Sequence, residues 1–104
     1  MDKKAKLLLI YLDETDVWDD LPLYEAIVRR FLQRGILGAT VQRGIMGYGN
    51  QQRVHHKRLF GISDDRPVTI SVVEEEANLR PMQSEIRNMV GDSLMVMLDV
   101  EVLA

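Results

Sequence analysis

The sequence predicts an α+β domain: a four-stranded antiparallel sheet with two helices covering one face, in the order β-α-β-β-α-β. Two segments place apolar residues at helical spacing and four others read as strands. Their order is that of the split β-α-β arrangement, in which the first and third strands are central. With 104 residues, the chain is expected to form a single domain spanning 1–104, with one long loop over about 49–66.

The first strand is Leu7-Leu8-Leu9-Ile10-Tyr11-Leu12, apolar at both parities, as when both faces of a strand are covered. Asp13-Glu14-Thr15-Asp16 ends it. The only Trp, Trp18, follows, and is expected to lid the core or meet another subunit rather than stack on a ligand. Asp20 reads as the N-cap of the first helix, with Pro22 in its first turn. Tyr24, Ile27, Val28 and Phe31 then recur at i, i+3, i+4 and i+7, and Gly35 supplies the stop, giving a helix of about 14 residues.

Residues 36–45 alternate as a second strand, with Ala39, Val41, Arg43 and Ile45 at one parity. Residues 46–66 show little regular pattern, and loops of that length are usually functional or disordered. Leu59, Phe60 and Ile62 suggest an apolar anchor in its second half. The third strand, 67–75, alternates Val68, Ile70 and Val72 with Thr69, Ser71 and Val73. Glu74-Glu75-Glu76 leads into the second helix, marked by Leu79, Met82, Ile86 and Met89 with Pro81 in its first turn. The last strand, 94–103, sets Leu94, Val96, Leu98, Val100 and Val102 against Met95, Met97, Asp99 and Glu101.

The uncovered sheet face is expected to carry one parity of the first strand together with Val73, Met95 and Met97. A patch of that kind implies self-association through the sheets; a half-wet face on a monomer is the alternative.

Composition narrows the function. The chain has no cysteine, which removes disulfides, thiolate metal sites and cysteine nucleophiles. No apolar run approaches the roughly 20 residues of a membrane span, and the opening segment is too short for a signal peptide, so the cytoplasm is expected. The net charge of −3 conceals an asymmetry: residues 26–63 hold seven Lys/Arg and no Asp or Glu, while the rest hold six Lys/Arg and all sixteen acids. The acidic remainder argues against nucleic acid as a partner. Arg43-Gly44-Ile45-Met46-Gly47-Tyr48 superficially resembles an RNA-recognition motif, but it ends the second strand, and the third strand has no aromatic residue for base stacking.

The functional candidate is Arg43-Gly44-Ile45-Met46-Gly47-Tyr48-Gly49 with the basic run through Arg53, His55, His56, Lys57 and Arg58. Three glycines in six residues permit unusual backbone or close approach, and the cations suit a small anionic ligand or an acidic partner. A solvated loop is the bland alternative. No nucleophile elbow, Walker-type loop or zinc-protease motif occurs, so no enzyme is expected. His55 and His56, joined by Asp13 or Asp16, are the one metal alternative, whereas the cluster Asp13, Asp16, Asp19 and Asp20 reads as a solvated turn far more readily than as a metal or acid–base site.

The chain resembles the domain of unknown function 190 family within the PII-like signalling superfamily. The residues that carry the resemblance are Leu12-Asp13-Glu14-Thr15-Asp16, Pro22-Leu23-Tyr24-Glu25, the block from Gly38 to Gly49, and Pro67-Val68 with Glu74-Glu75. The resemblance implies a PII-like, ferredoxin-like fold assembled as a trimer with its sheets towards the centre. It also implies an adenine nucleotide bound between subunits near the loop base, and a loop that contacts a regulatory target protein. Gly44, Gly47 and Gly49 would form that base, with Arg43 and Tyr48 beside it. Genes of the family often lie next to a fluoride-exporter gene, which implies a membrane transporter as target. PII proteins carry a lysine-rich phosphate loop where this chain has only Val90-Gly91-Asp92-Ser93, so charge for an anion must come from the long loop itself. The CutA proteins, trimeric metal binders, share the fold and stand behind the metal alternative. A protein adaptor that needs no ligand is a third reading.

Overall fold

The computed structural model describes residues 4–49 and 66–103. Its main sheet has the order β4-β5-β1-β6, built from β1 (Lys4–Asp13), β4 (Thr40–Arg43), β5 (Pro67–Glu74) and β6 (Met95–Glu101). All three strand pairs are antiparallel. The first and third strands of this sheet are central, as the element order requires, and the fold is the ferredoxin-like β-α-β-β-α-β arrangement.

Between β1 and α1 (Leu23–Gln33) lies a feature the sequence concealed: a small hairpin of β2 (Val17–Trp18) and β3 (Leu21–Pro22). Its tip is Asp19-Asp20, with φ of 52° and 68°. Positive φ at both central residues is the signature of the type I′ hairpin turn, which aspartate tolerates better than most residues. Asp20 therefore shapes the hairpin and is not the helix N-cap; Pro22 takes that position and the helix runs for 11 residues instead of about 14. The hairpin lays Trp18 against the core, the lid role expected for it. Gly35, with φ of 81°, ends α1 as its left-handed stop.

The strand expected over 36–45 is shorter because Ile36 leaves the sheet to fill the core, its amide donating to the Phe31 carbonyl at 3.0 Å. Only Thr40–Arg43 pairs with β5. The second helical layer is broken as well. Pro81 lies within a 3-10 turn, Arg80–Met82, which separates α2 (Glu76–Leu79) from α3 (Gln83–Val90). A proline cannot donate the bond a continuous helix needs there, so it interrupts the layer rather than starting it. The apolar spacing nevertheless holds: Leu79, Met82, Ile86 and Met89 are all buried.

The core lies between helices and sheet. Leu8, Ile10 and Leu12 of β1 and Val68, Ile70 and Val72 of β5 face Leu23, Ile27 and Phe31 of α1 and the second helical layer. The opposite sheet face is apolar and bare among the described residues. Register aligns Val73, Leu7 and Leu98 in one cross-strand row and Ser71, Leu9 and Val96 in the next. Tyr11 stands beyond them, opposite Thr69, and its amide donates to the Leu94 carbonyl. Tyr11, Val73, Val96 and Leu98 remain about 40% exposed. One expectation is thereby reversed: Met95 and Met97 pack on the helix side against the core, and Val96 and Leu98 take the bare face. Pairing of Leu8 with Met97 and of Ile10 with Met95 decides this, because Leu8 and Ile10 already point inward.

Candidate functional site

The candidate site is the neck of the long loop, where β4 ends and β5 begins. Antiparallel pairing places Asp13 opposite Pro67 and Arg43 opposite Val68, so the end of β1, the end of β4 and the start of β5 meet at one edge of the sheet. Gly44 donates its amide to the Pro67 carbonyl at 2.7 Å. A β-carbon on Gly44 would stand 2.9 Å from Pro67 Cγ, and one on Gly47 would stand 3.1 Å from the same atom. These two glycines are thus needed for close approach to a proline ring rather than for an unusual φ. Gly49 meets nothing within 4 Å at the same position, so this argument does not extend to it.

Arg43 points its guanidinium at Glu14, with Nη2 and Oε2 3.0 Å apart. Glu14 in turn donates its amide to the Arg66 carbonyl at 3.0 Å. Between and just beyond these two glycines the side chains are exposed: Ile45 is 94%, Met46 87% and Tyr48 fully accessible. The structure therefore brings Arg43, Gly44 and Gly47 together with Glu14, Arg66 and Pro67, and leaves Tyr48 at the rim. Arg53, His55, His56, Lys57 and Arg58 lie outside the described residues, as do Leu59, Phe60 and Ile62.

Glu14 and Pro67 were not singled out as site residues from sequence. They lie 29 and 24 residues from Arg43, and no spacing rule links them; only the register of β1 on β5 does. The signal available was the topology itself, since a first strand antiparallel to the third must end where the third begins.

The aspartates near this edge have local duties. Asp16 is buried, and its Oδ2 accepts the Asp13 amide at 3.0 Å while its carbonyl accepts the Leu23 amide at 2.7 Å. Thr15 Oγ1 donates to Asp13 Oδ1 at 3.4 Å. This is a side-chain-stabilised turn that delivers the chain from β1 to the hairpin. Among the described residues no group of three or more His, Asp or Glu side chains converges as a metal site would require.

At the far end of the sheet sits a second buried acid, Glu74, only 2% exposed. Its Oε1 accepts the Leu37 amide at 3.2 Å, and its Oε2 accepts the Glu75 amide and Asn78 Nδ2, each at 3.0 Å. Burial pushes its carboxyl up, but the Asn78, Glu75 and Leu37 donors outweigh burial and hold it below the ordinary carboxylate range. Glu85 joins the two helical layers by accepting from Arg34 at 2.9 Å and from Arg30. Those hydrogen bonds, Arg34's first, hold its carboxyl below the ordinary range. Both acids fasten the scaffold and lie away from the neck.

Fold and site together define a class: a ferredoxin-like domain with a bare apolar sheet face, in which the two ends of a long cation-rich segment meet at one end of the sheet. Comparison with known proteins gives the family. A family model described as DUF190, Uncharacterized ACR, COG1993 matches residues 5–102. A UPF0166 protein of Aquifex aeolicus is 33% identical over 100 residues, covering 96% of this chain and 94% of that protein. A UPF0166 protein of Methanocaldococcus jannaschii is 34% identical over 100 residues, covering 95% of this chain and 92% of the other. The chain belongs to the DUF190 family. No helix among the described residues is long and apolar enough to cross a membrane.

Proposed function

We propose that this protein is a non-enzymatic sensor of the PII type, working in the cytoplasm as a homotrimer. A small anionic ligand, with an adenine nucleotide as first candidate, binds at the loop neck and changes what the loop contacts on a regulatory target protein. A membrane transporter is the candidate target. The observation that carries this reading is the neck itself: a cationic side chain ends an edge strand, and two glycines then lay bare backbone on Pro67. A guanidinium that is mostly open to solvent, at a point where glycines let a ligand come close to the main chain, is suited to phosphate oxygens. Arg53, Lys57 and Arg58 add positive charge to the same loop. The bare sheet face supports self-association, since monomers rarely leave a contiguous apolar face wet.

Calorimetry with ATP, ADP, AMP and cyclic nucleotides at low salt tests the ligand. Saturable binding that Arg43→Gln weakens is the expected result, and no heat with any of them at millimolar concentration removes the nucleotide reading. Sedimentation tests the assembly. A trimer is expected, and Leu7→Glu with Leu98→Glu should dissociate it by placing charge on the bare face; a wild-type monomer at micromolar concentration rejects it. The exposure of Ile45, Met46 and Tyr48 favours one further reading, a ligand-independent adaptor that holds its partner through apolar contacts. Partner capture that no nucleotide alters, and that Tyr48→Ala abolishes, would select it.

A further inference from the structure

We infer that Glu14 is a built-in counter-ion of the loop neck, which occupies Arg43 until an anionic ligand takes its place. The inference rests on the anion-binding reading above and adds to it the residue that sets affinity and transmits occupancy. Glu14 is the first residue past β1, and the pairing of Asp13 with Pro67 brings it beside Arg66. Its backbone amide donates to the Arg66 carbonyl and its carboxylate meets Arg43, each at 3.0 Å. One residue thus engages both sides of the neck, the last residue of β4 and the residue just before β5. The Gly44 amide on the Pro67 carbonyl closes the same junction.

The two partners differ in exposure. The Glu14 side chain is 22% exposed and that of Arg43 62%. The carboxylate is therefore seated in the protein, while the guanidinium presents most of its surface to solvent, where a dissolved anion can reach it. A guanidinium offers several donors in a planar fork, so a phosphate can engage it from the open side and compete for the donor that Glu14 holds. The seated carboxylate then stands close to like charge, so binding is strongest when the Arg43 side chain swings clear of Glu14. That movement releases the side-chain tie across the neck and couples site occupancy to the chain on either side of it. Glu14 is a positioning residue here: it acts on the ligand through Arg43.

The test is ATP titration of four proteins at low salt: wild type, Glu14→Gln, Arg43→Gln and the double variant. Glu14→Gln keeps the size of the side chain and leaves the backbone bond to Arg66 in place. It should tighten ATP binding on the order of threefold, the range expected when an exposed ion pair no longer competes. The same change should tighten binding clearly less in the Arg43→Gln background, where only the repulsion between Glu14 and the anion is removed. Hydrogen exchange at the Gly44 amide, read without ligand by NMR, should quicken in Glu14→Gln and in Arg43→Gln to the same extent. A Glu14→Gln protein that binds ATP no better than wild type, or tightening that is undiminished without Arg43, overturns the counter-ion role while leaving an Arg43 site standing. Unchanged exchange at Gly44 overturns the tie across the neck. ATP bound by none of the four proteins ends both this inference and the ligand reading on which it rests.

Discussion

Replacing Glu74 by Gln should be among the most damaging single-atom changes in this protein. The carboxylate takes three donors from three places: Leu37 beyond α1, Glu75 between β5 and α2, and Asn78 in α2. A glutamine retains one acceptor oxygen, which can keep two of these donors. Its amide nitrogen then confronts the third N–H donor to donor. Hydrogen bonds to a charged group contribute about 1.5–3 kcal/mol each, and an unmatched donor adds a desolvation cost. Leu37 and Asn78 are exposed and can recover water, so we expect a net loss of about 2–3 kcal/mol. That corresponds to a fall in Tm of about 10–20 °C for a domain of this size. The loss should depend on pH in a defined direction. The Glu74 carboxyl is held below its ordinary value of 4.5 in the folded state, so its stabilising excess is present above that value and disappears as pH falls through the lower, folded one. Thermal unfolding of wild type and variant, followed by circular dichroism from neutral to strongly acid pH, should show a wide gap that closes at the acid end. Equal midpoints at neutral pH, or a gap that stays constant into acid, would refute the reasoning.

Other consequences are smaller and local. Gly44→Ala places a methyl group 2.9 Å from the Pro67 ring and should cost about 1–3 kcal/mol, a penalty that shrinks in a Pro67→Ala background if the ring is the obstacle. Gly47→Ala, at 3.1 Å, should cost less than Gly44→Ala in the same denaturation series. Asp20→Gly relieves a side chain held at φ of 68° and should stabilise the protein by up to about 1 kcal/mol, measured by urea midpoint without a change in slope.

Most of the core could be read directly from the chain. Helical spacing picked out Ile27, Phe31, Leu79, Met82, Ile86 and Met89, and alternation picked out Val68, Ile70 and Val72; all are buried. The site was legible only in part. Arg43, Gly44 and Gly47 stand out by composition, because a cation followed by closely spaced glycines is unusual after a strand. Glu14 does not stand out. It is one of five acids between Asp13 and Asp20, and its distinction is purely positional. Asp20 misled for a related reason: an aspartate before a proline-led helix looks the same whether it caps that helix or turns a hairpin, and the difference is a positive φ.

What the amino-acid order determined on its own was the succession of elements and the two periodic sets within each, because side-chain spacing is a local property of strand and helix. The tertiary structure alone decided which set of a two-sided apolar strand turns inward. In β6 the alternation separates Met95 and Met97 from Val96 and Leu98, but both sets are apolar enough to be buried. Backbone pairing with β1 settles the choice, since Met95 and Met97 stand beside Ile10 and Leu8 and must follow them to the helix side. The same long-range pairing sends Glu14 to Arg43, and it places Glu74 where donors from three segments converge. Such contacts join residues far apart in the chain, and no local period records them.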